Sequence, residues 1–343
     1  MARATITSLD VARKAGVSQS AVSRVFTPGA SASAATAEKV RRAADELGYR
    51  PNPLARAMIT GKSRIIGLVV AYLENFFYPD VLERLSNGLQ KEGYHVLVFM
   101  ASQENHGVDR VVEEILDYQV DGIVLASVDL ASDISDRCQS AGVPVVQFNR
   151  RQDAESHCVV TSDNYSGGRR VAEFFTAGKH ERIGYIAGWE SASTQRDREA
   201  GFAQGLKDAG ATLFAREVGN YQLERAQDAT RRMFGTKDLP DAVFVANDYM
   251  AFAAMDVLRS ELGLKVPGDV SVVGYDDVPI AAWPAYDLTT IRQAADEMVS
   301  ETIAILMDQI EDRADSPRQI KIDAPLILRG SARIPEGWIN ERV

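Results

Sequence analysis

The chain has 343 residues, 45% of them hydrophobic, and a formal net charge of −10 at pH 7. This length predicts two or three domains with sizeable cores. The two cysteines, Cys138 and Cys158, form no CxxC pair. Their number and spacing argue against a disulfide framework or a zinc site and favour a reducing compartment. We therefore expect a cytoplasmic protein. The N-terminus lacks an apolar signal segment, and the most apolar stretch, 65–73, is far shorter than the ~20 residues that span a membrane.

The charge is divided unevenly along the chain. Residues 1–64 hold 11 Lys and Arg against 4 Asp and Glu, a net charge of +7, whereas the remainder has a net charge of −17. Phosphate neutralisation by Lys and Arg drives nucleic-acid binding. A basic head on an acidic body therefore predicts that nucleic acid meets only the head, and that the body repels DNA elsewhere.

Residues 7–26 predict two short helices joined by a tight turn. We expect Ser8 to cap the first helix, Gly16 to end it and Ser18 to cap the second. A Gly-containing turn of this length between two apolar-faced helices is the helix-turn-helix signature. A generic helical hairpin is the alternative, but the local positive charge and a third helix favour DNA binding. The outward face of the second helix carries Gln19, Ser20, Ser23 and Arg24.

A third helix is predicted to begin after Ser33 and to end at Gly48. Three small helices form a small core, so the head should be only marginally stable alone. The X-Pro pairs within 49–53 favour an extended linker. The helix pattern at 54–60 is under two turns long, which is too short to persist alone in water, so we expect this helix to form only on a partner.

Beyond residue 63 the pattern changes to strands that alternate with helices, which is typical of doubly wound sheets with helices on both faces. The alternation occurs twice and predicts two α/β units in tandem. Strands are predicted at 65–71, 95–100, 122–125, 145–148, 183–187, 242–246 and 270–274, with a last pair near 320–328. Helices are predicted at 77–92, 108–118, 134–141, 165–177, 198–209, 223–234, 249–262 and 294–310.

Several motifs, taken together and in order, resemble the lactose repressor family of transcription regulators. They are D-V-A-R-K-A-G-V-S-Q-S-A-V-S-R-V-F at 10–26, S-x-x-T-x-x-x-V at 33–40, Y-R-P-N at 49–52, A-x-x-M at 55–58, R-D-R-E-A-G-F at 196–202, A-N-D at 246–248, V-P-x-D-V-S-V-V-G-Y-D-D at 266–277 and L-T-T-I at 288–291. The resemblance covers residues 5 to about 330, and the combination is specific although each fragment alone is not.

The resemblance implies a small all-α helix-turn-helix head and an α/β core of two doubly wound lobes, similar to periplasmic sugar-binding proteins. An effector would bind between the lobes, at the carboxyl ends of the strands. The implied boundaries are 1–49 for the DNA-binding domain, 50–61 for a hinge with a DNA-induced helix, 62–162 plus 293–326 for the N-terminal lobe, 163–292 for the C-terminal lobe and 327–343 for a tail. The tail has no heptad pattern, so we expect a homodimer.

The resemblance also implies which residues of the head contact DNA. Gln19 and Ser20 would read base edges, with Arg24 one turn further along the recognition helix. Thr7, Ser18 and Ser23 are expected to contact phosphates, which position the head without specifying sequence. The alternative is that these side chains are merely solvated.

In the hinge the resemblance implies minor-groove contacts by Arg56 and Met58. Relatives insert a Leu into a central base step. Met58 departs from that pattern and should specify the kink less firmly, because Met is apolar but flexible. The alternative for Met58 is a packing contact between two hinges.

Seven residues match cleft positions of the family and are expected to bind the effector: Phe77, Tyr78, Asn149, Arg198, Tyr221, Asn247 and Asp276. Weaker candidates are Thr161, Thr194, Trp283 and Gln293. An Arg198–Asp276 clamp would suit a polyol, whereas core packing is the alternative for any single aromatic. Relatives often have Asp where Asn149 stands, which favours a neutral or anionic ligand here.

The function implied is a ligand-responsive repressor that binds a palindromic operator in double-stranded DNA, with a sugar or sugar derivative in the cleft. A nucleobase, a sugar phosphate or a protein corepressor is the alternative effector. An enzyme is a rival class, but the chain has no GxGxxG, P-loop, G-x-S-x-G or HExxH motif. We therefore expect neither a cofactor nor a metal. A sugar-transport protein with the same core is a second rival, against which the DNA-binding head argues.

Overall fold

The computed structural model describes residues 6–27, 30–50, 61–101, 107–126, 132–151, 156–313 and 316–339. The chain divides into two compact units, Met1–Arg64 and Ile65–Val343. Within the described ranges, no helix is both long and apolar enough to cross a membrane.

The first unit is built from three helices: α1 (Ser8–Ala15), α2 (Gln19–Phe26) and α3 (Ala34–Leu47). Gly16 and Gly48, both at φ 67°, end α1 and α3 in the left-handed conformation, as predicted. The core of this unit is small because its buried side chains are Ala and Val only. They are Val11, Ala12, Val22, Val40, Ala43 and Ala44.

The cap of α1 is Thr7, so the prediction of Ser8 was wrong. The Asp10 amide donates to Thr7 Oγ1 at 3.4 Å, and the Thr7 amide donates to Asp10 Oδ2 at 3.0 Å. This reciprocal pair is a capping box, which a Thr with an acidic residue three positions later can form and Ser8 cannot. Ser18 and Ser33 cap α2 and α3, as predicted.

The second unit contains two six-stranded sheets with helices between the strands. The first part of this unit runs β1 (Ile65–Val70), α4 (Phe77–Lys91), β2 (His95–Met100), α5 (Gly107–Asp117), β3 (Gly122–Ala126), α6 (Ser132–Ser140), β4 (Val145–Phe148), β5 (Cys158–Ser162) and α7 (Asn164–Ala177). The strand order of the first sheet is β11-β5-β4-β3-β1-β2, and all its neighbouring strands are parallel.

The chain continues through β6 (Ile183–Ala187), α8 (Ser193–Asp208), β7 (Ala215–Val218), α9 (Leu223–Phe234), β8 (Ala242–Val245), α10 (Asp248–Asp256), β9 (Ser271–Asp276), β10 (Thr289–Arg292), α11 (Ala295–Ile310), β11 (Gln319–Ile322) and β12 (Leu326–Ile327). The second sheet has the order β12-β10-β9-β8-β6-β7 and is parallel except for the β10–β12 pair. The buried apolar strands and the two-sheet α/β class agree with the sequence prediction.

Two predictions of individual elements were wrong, and two strands were missed. The strand pair near 320–328 is not a pair, because β11 joins the first sheet beside β5 whereas β12 joins the second sheet beside β10. β5 and β7 were missed. The helix predicted at 249–262 ends as α10 at Asp256 and is followed by one π-helical turn, Val257–Glu261.

The chain passes between the two sheets three times: after β5, between β10 and α11, and between β11 and β12. α11 follows a strand of the second sheet but packs on β4 and β5 of the first. The predicted tail boundary at 327 falls inside β12, and the segment beyond it stays on the second sheet, where Ser331 donates to the Val272 carbonyl at 2.6 Å. These three passages are the covalent connections between the two sheets.

Candidate DNA-binding and effector sites

The outward face of α2 presents the polar side chains that the sequence predicts. Gln19, Ser20, Ser23 and Arg24 are all exposed. The amide Nε2 of Gln19 donates to Ser8 Oγ at 2.9 Å, which fixes the orientation of the Gln19 amide against α1. Arg24 Nε donates to the Ser20 carbonyl at 3.4 Å. This face can hydrogen-bond both base edges and phosphates.

Two of the expected phosphate contacts have a second role. Thr7 and Ser18 are the N-caps of α1 and α2, so they lie at positive helix ends where anions are stabilised. Arg56 and Met58 lie outside the described residues.

The predicted effector residues of the second unit lie mostly at the carboxyl ends of its strands. Phe77 and Tyr78 begin α4 after β1, and Asp276 is the last residue of β9. Asn149, Tyr221 and Asn247 follow β4, β7 and β8, and Arg198 is in α8. The side chains are buried, with residue exposures between 1% and 7%.

Arg198 is the centre of the buried polar contacts. Its Nη2 lies 3.7 Å from Asp276 Oδ1. The two side chains are therefore close enough to form the Arg198–Asp276 clamp that the resemblance implies. Nε donates to Asn164 Oδ1 at 2.8 Å, and Nη1 donates to the Ala246 carbonyl at 2.6 Å. The guanidinium also lies 3.6 Å from the centroid of the Tyr275 ring. A planar guanidinium with several fixed partners can orient a polar ligand.

Asp276 and Asp248 form a buried acidic pair. Asp276 accepts hydrogen bonds from Gln293 Nε2 at 2.7 Å and Asn75 Nδ2 at 3.1 Å. Burial raises the pKa of Asp276 to about 6, and Arg198 opposes this rise. Burial and the neighbouring Asp276 raise the pKa of Asp248 to about 8. Burial therefore disfavours ionisation of both carboxyl groups, and the Asp276 carboxyl lies against Arg198.

The aromatic candidates contact both the core and the polar cluster. Phe77 stacks on Phe148 with ring centroids 6.4 Å apart, which is a core contact. The Tyr78 hydroxyl accepts from Asn149 Nδ2 at 3.1 Å. The Tyr221 hydroxyl lies 3.5 Å from Thr194 Oγ1.

One charged residue of the cleft was missed by sequence reasoning. Arg150 is only 4% exposed, and its guanidinium carbon lies 5.5, 5.6 and 5.8 Å from the ring centroids of Trp189, Tyr221 and Tyr72. Burial raises the pKa of Tyr221, while Arg198 and Arg150 both lower it, so both guanidiniums lie near this hydroxyl. The only sequence signal was that Arg150 follows Asn149 directly after a strand.

Three buried amide atoms of candidate residues have no hydrogen-bond partner within the described ranges: Asn149 Oδ1, Asn247 Nδ2 and Gln293 Oε1. A buried polar atom left unpaired costs about 1–3 kcal/mol. The weaker candidate Thr161 is close to this set, because its hydroxyl donates to the Asn149 carbonyl at 2.8 Å. Trp283, in contrast, is 56% exposed and is not part of the buried cluster. The described residues contain no group of three or more acidic, His or Cys side chains that could hold a metal ion.

Known proteins match both units. The bacterial regulatory protein lacI family matches residues 7–52, and the periplasmic binding protein-like domain matches residues 172–332. The transcriptional repressor CytR of Escherichia coli is 30% identical over 329 residues, which are 95% of this chain and 96% of CytR. The repressor PurR of Photobacterium profundum is 29% identical over 328 residues, 94% of this chain and 98% of PurR.

Two solved structures show the same architecture. A lac repressor dimer bound to operator and the anti-inducer ONPF is 27% identical, with a TM-score of 0.87 over 96% of this chain and 99% of that chain. A complex of the transcriptional regulator CelR with cellobiose is 29% identical, with a TM-score of 0.73 over 95% of this chain and 100% of that chain. With both units matched and a relative aligned along nearly its whole length, this chain belongs to the lacI family of bacterial regulatory proteins and is a ligand-responsive, DNA-binding transcription regulator.

Proposed function

We infer that the protein is a repressor that binds a palindromic operator as a homodimer, and that a neutral polyol, a sugar or sugar derivative, binds between its two sheets and sets its operator affinity. The observation that carries the effector class is the set of three buried amide atoms that have no hydrogen-bond partner among the described residues, one of them on Gln293, whose Nε2 donates to Asp276.

The DNA contacts are assigned to the exposed face of α2. Gln19 and Ser20 read base edges, because an amide can pair with adenine through two hydrogen bonds. Arg24 and Ser23 extend the contact along α2, and Thr7 and Ser18 present helix N-termini to phosphates. The relative solved as a dimer on its operator supports this mode of binding. Minor-groove contacts by Arg56 and Met58 stay a prediction from the resemblance.

A neutral polyol fits the charges and the unpaired atoms together. Arg198 and Asp276 lie 3.7 Å apart and compensate each other, so a neutral ligand leaves neither charge unpaired. The amide atoms of Asn149, Asn247 and Gln293 need both donors and acceptors. A hydroxyl group supplies both. The cellobiose complex of a relative supports a carbohydrate. The second candidate is an anionic sugar derivative, because the positively charged guanidinium of Arg150 lies near Tyr221.

The ligand would act by changing how the two lobes sit against each other. Its contacts come from both lobes: Tyr78 and Asn149 follow strands of the first sheet, whereas Asp276 ends a strand of the second sheet and Arg198 lies in the helix after β6. A ligand shifts such an equilibrium only by its difference in affinity for the two arrangements. We assign residues 1–49 to DNA binding, 50–61 to the hinge, 62–162 plus 293–326 and 163–292 to the two lobes, and 327–343 to a tail whose first residues pair with and pack on the second sheet.

A thermal-shift screen of the purified chain tests the effector class. The panel contains neutral sugars, sugar acids, sugar phosphates and nucleobases. A ligand at about 100 times its dissociation constant stabilises the folded state by roughly 2.7 kcal/mol. A neutral sugar that stabilises the protein supports the proposed pocket. Stabilisation only by phosphates or nucleobases contradicts it and leaves the regulator in place.

Removal of residues 1–61 separates the two activities. The shortened protein should no longer bind the DNA sequences that the full-length protein selects from a random pool. It should retain the thermal shift with the ligand found in the screen. DNA affinity that survives the truncation would show that the head is assigned wrongly.

A further inference from the structure

The turn after β9 has an unusual backbone. Asp276 has φ 131° and Asp277 has φ 57°, and two consecutive non-glycine residues with positive φ are rare. The side chains of Asp276 and Asp277 are only 2% and 5% exposed. Strained residues persist where the surrounding contacts hold them, and they concentrate at binding sites and switches.

Asp277 is held by two arginines at once. Its Oδ1 accepts from Arg329 Nη2 at 2.6 Å, and its Oδ2 accepts from Arg292 Nε at 2.6 Å. Hydrogen bonds between ionised groups are stronger than those between neutral groups. Each carboxylate oxygen thus has its own charged donor, and the side chain cannot rotate without breaking one of them.

Arg292 lies where the chain leaves the second sheet, and Arg329 lies just beyond the strand in which the chain returns to that sheet. Arg292 ends β10, immediately before one passage, and its amide donates at 2.8 Å to the carbonyl of Pro325 in another. Arg329 follows β12, and its Nη1 donates to the Leu288 carbonyl just before β10 at 2.7 Å. Asp277 therefore connects the turn to two of the three interlobe passages.

A second set of contacts holds the other side of the turn. The Val278 amide donates to Asp248 Oδ2 at 3.0 Å. Asp248 can approach this closely because position 274 is glycine, where a Cβ would collide with Asp248 Oδ1. The two residues that follow Asp276 are thus both held in place, and the Asp276 carboxylate accepts from Gln293 and Asn75.

We propose that Asp277 is a positioning residue that holds the Asp276 carboxylate in its cleft orientation and couples it to the passages about which the lobes turn. A lobe movement that displaces Arg292 or Arg329 then displaces Asp276, and a ligand on Asp276 biases the lobe arrangement in return. The inference rests on the proposed effector role of Asp276.

Hydrogen exchange of the full-length protein tests this assignment without ligand or DNA. Asp277→Asn keeps the size of the side chain and tolerates a positive φ, but it lacks the charge that both arginines contact. The matched control is Asp308→Asn, because Asp308 also lies between two arginines, at 2.7 Å from Arg318 and 3.4 Å from Arg313. Strand β6 serves as the internal reference for global opening.

We expect Asp277→Asn to accelerate exchange in the peptide 275–280 about tenfold, with β6 unchanged, and Asp308→Asn to leave 275–280 unchanged. Equal exchange of 275–280 in both variants, or an acceleration shared by β6, would overturn the positioning role. Arg292→Gln removes only one of the two partners and gives a second measurement if Asp277→Asn does not fold. A smaller local acceleration in that variant supports the proposal, and none refutes it. The thermal-shift screen could find no polyol that binds while Asp277→Asn still accelerates exchange in 275–280. That combination would refute the proposed effector and support the positioning role of Asp277.

Discussion

Substitution of Asp248 by Asn should make the stability of the protein less dependent on pH. Asp248 is fully buried, and its pKa is raised to about 8 by burial and by Asp276. The Thr290 hydroxyl oxygen lies 2.6 Å from Asp248 Oδ1, and the Val278 amide donates to Asp248 Oδ2 at 3.0 Å. Asn mimics the protonated acid, because its oxygen can accept from the amide while its nitrogen donates to the hydroxyl oxygen.

The sign follows from proton binding in the two states. Between about pH 4 and pH 8 the folded protein holds a proton on Asp248 that the unfolded chain releases. The free energy of unfolding therefore falls as the pH rises, by about 1.4 kcal/mol per pH unit for one proton. From pH 5 to pH 7 the natural protein should lose roughly 2–3 kcal/mol relative to Asp248→Asn. The titration of Asp276 is common to both proteins and cancels.

Urea unfolding of both proteins at pH 5, 6 and 7, followed by circular dichroism, measures this difference. Asp323→Asn is the control. Its hydrogen bond to Arg170 lowers the pKa of Asp323, so this carboxylate is ionised in both states over that pH range and the variant should run parallel to the natural protein. A constant difference between Asp248→Asn and the natural protein would mean that folded Asp248 is already ionised at pH 5, which refutes the desolvation argument.

Three further substitutions test the head and the helix that carries Arg198. Gln19→Ala should reduce discrimination at one base position by about 1–3 kcal/mol in a selection from random DNA, with non-specific binding unchanged; an unaltered selected sequence contradicts base reading. Thr7→Ala removes the capping box with Asp10 and should destabilise α1 by about 0.5–2 kcal/mol, seen as faster exchange of its amides. Gly201→Ala places a Cβ against the Tyr165 carbonyl oxygen, well inside van der Waals contact, so the α7–α8 contact should lose roughly 1–3 kcal/mol in urea unfolding. An unchanged transition would show that α8 can move away freely.

Local patterns in the sequence were sufficient for most of the secondary structure. Gly16 and Gly48 end helices because only a residue without Cβ adopts φ 67° easily. The buried strands of both sheets are short apolar runs bounded by turns, which is a signal contained within each strand. β7 was missed because it is short and half-exposed with charged residues, and β5 because it lies close to the end of the first α/β unit.

The candidate effector residues were inferred from the resemblance, but their contacts could not be. Asn75 and Asp276 are 201 residues apart in the chain and share a hydrogen bond, which no window of sequence contains. The same holds for Arg150, whose role depends on rings from both sheets.

The sequence by itself determined the helix-turn-helix head, the two α/β units and the family motifs, because each depends on neighbours within a few turns or strands. Only the tertiary structure decided the separation of β11 from β12, the complete burial of Asp248 and the double arginine clamp on Asp277. These features depend on which distant segments meet, since burial and charge pairing are properties of the folded neighbourhood rather than of the residue.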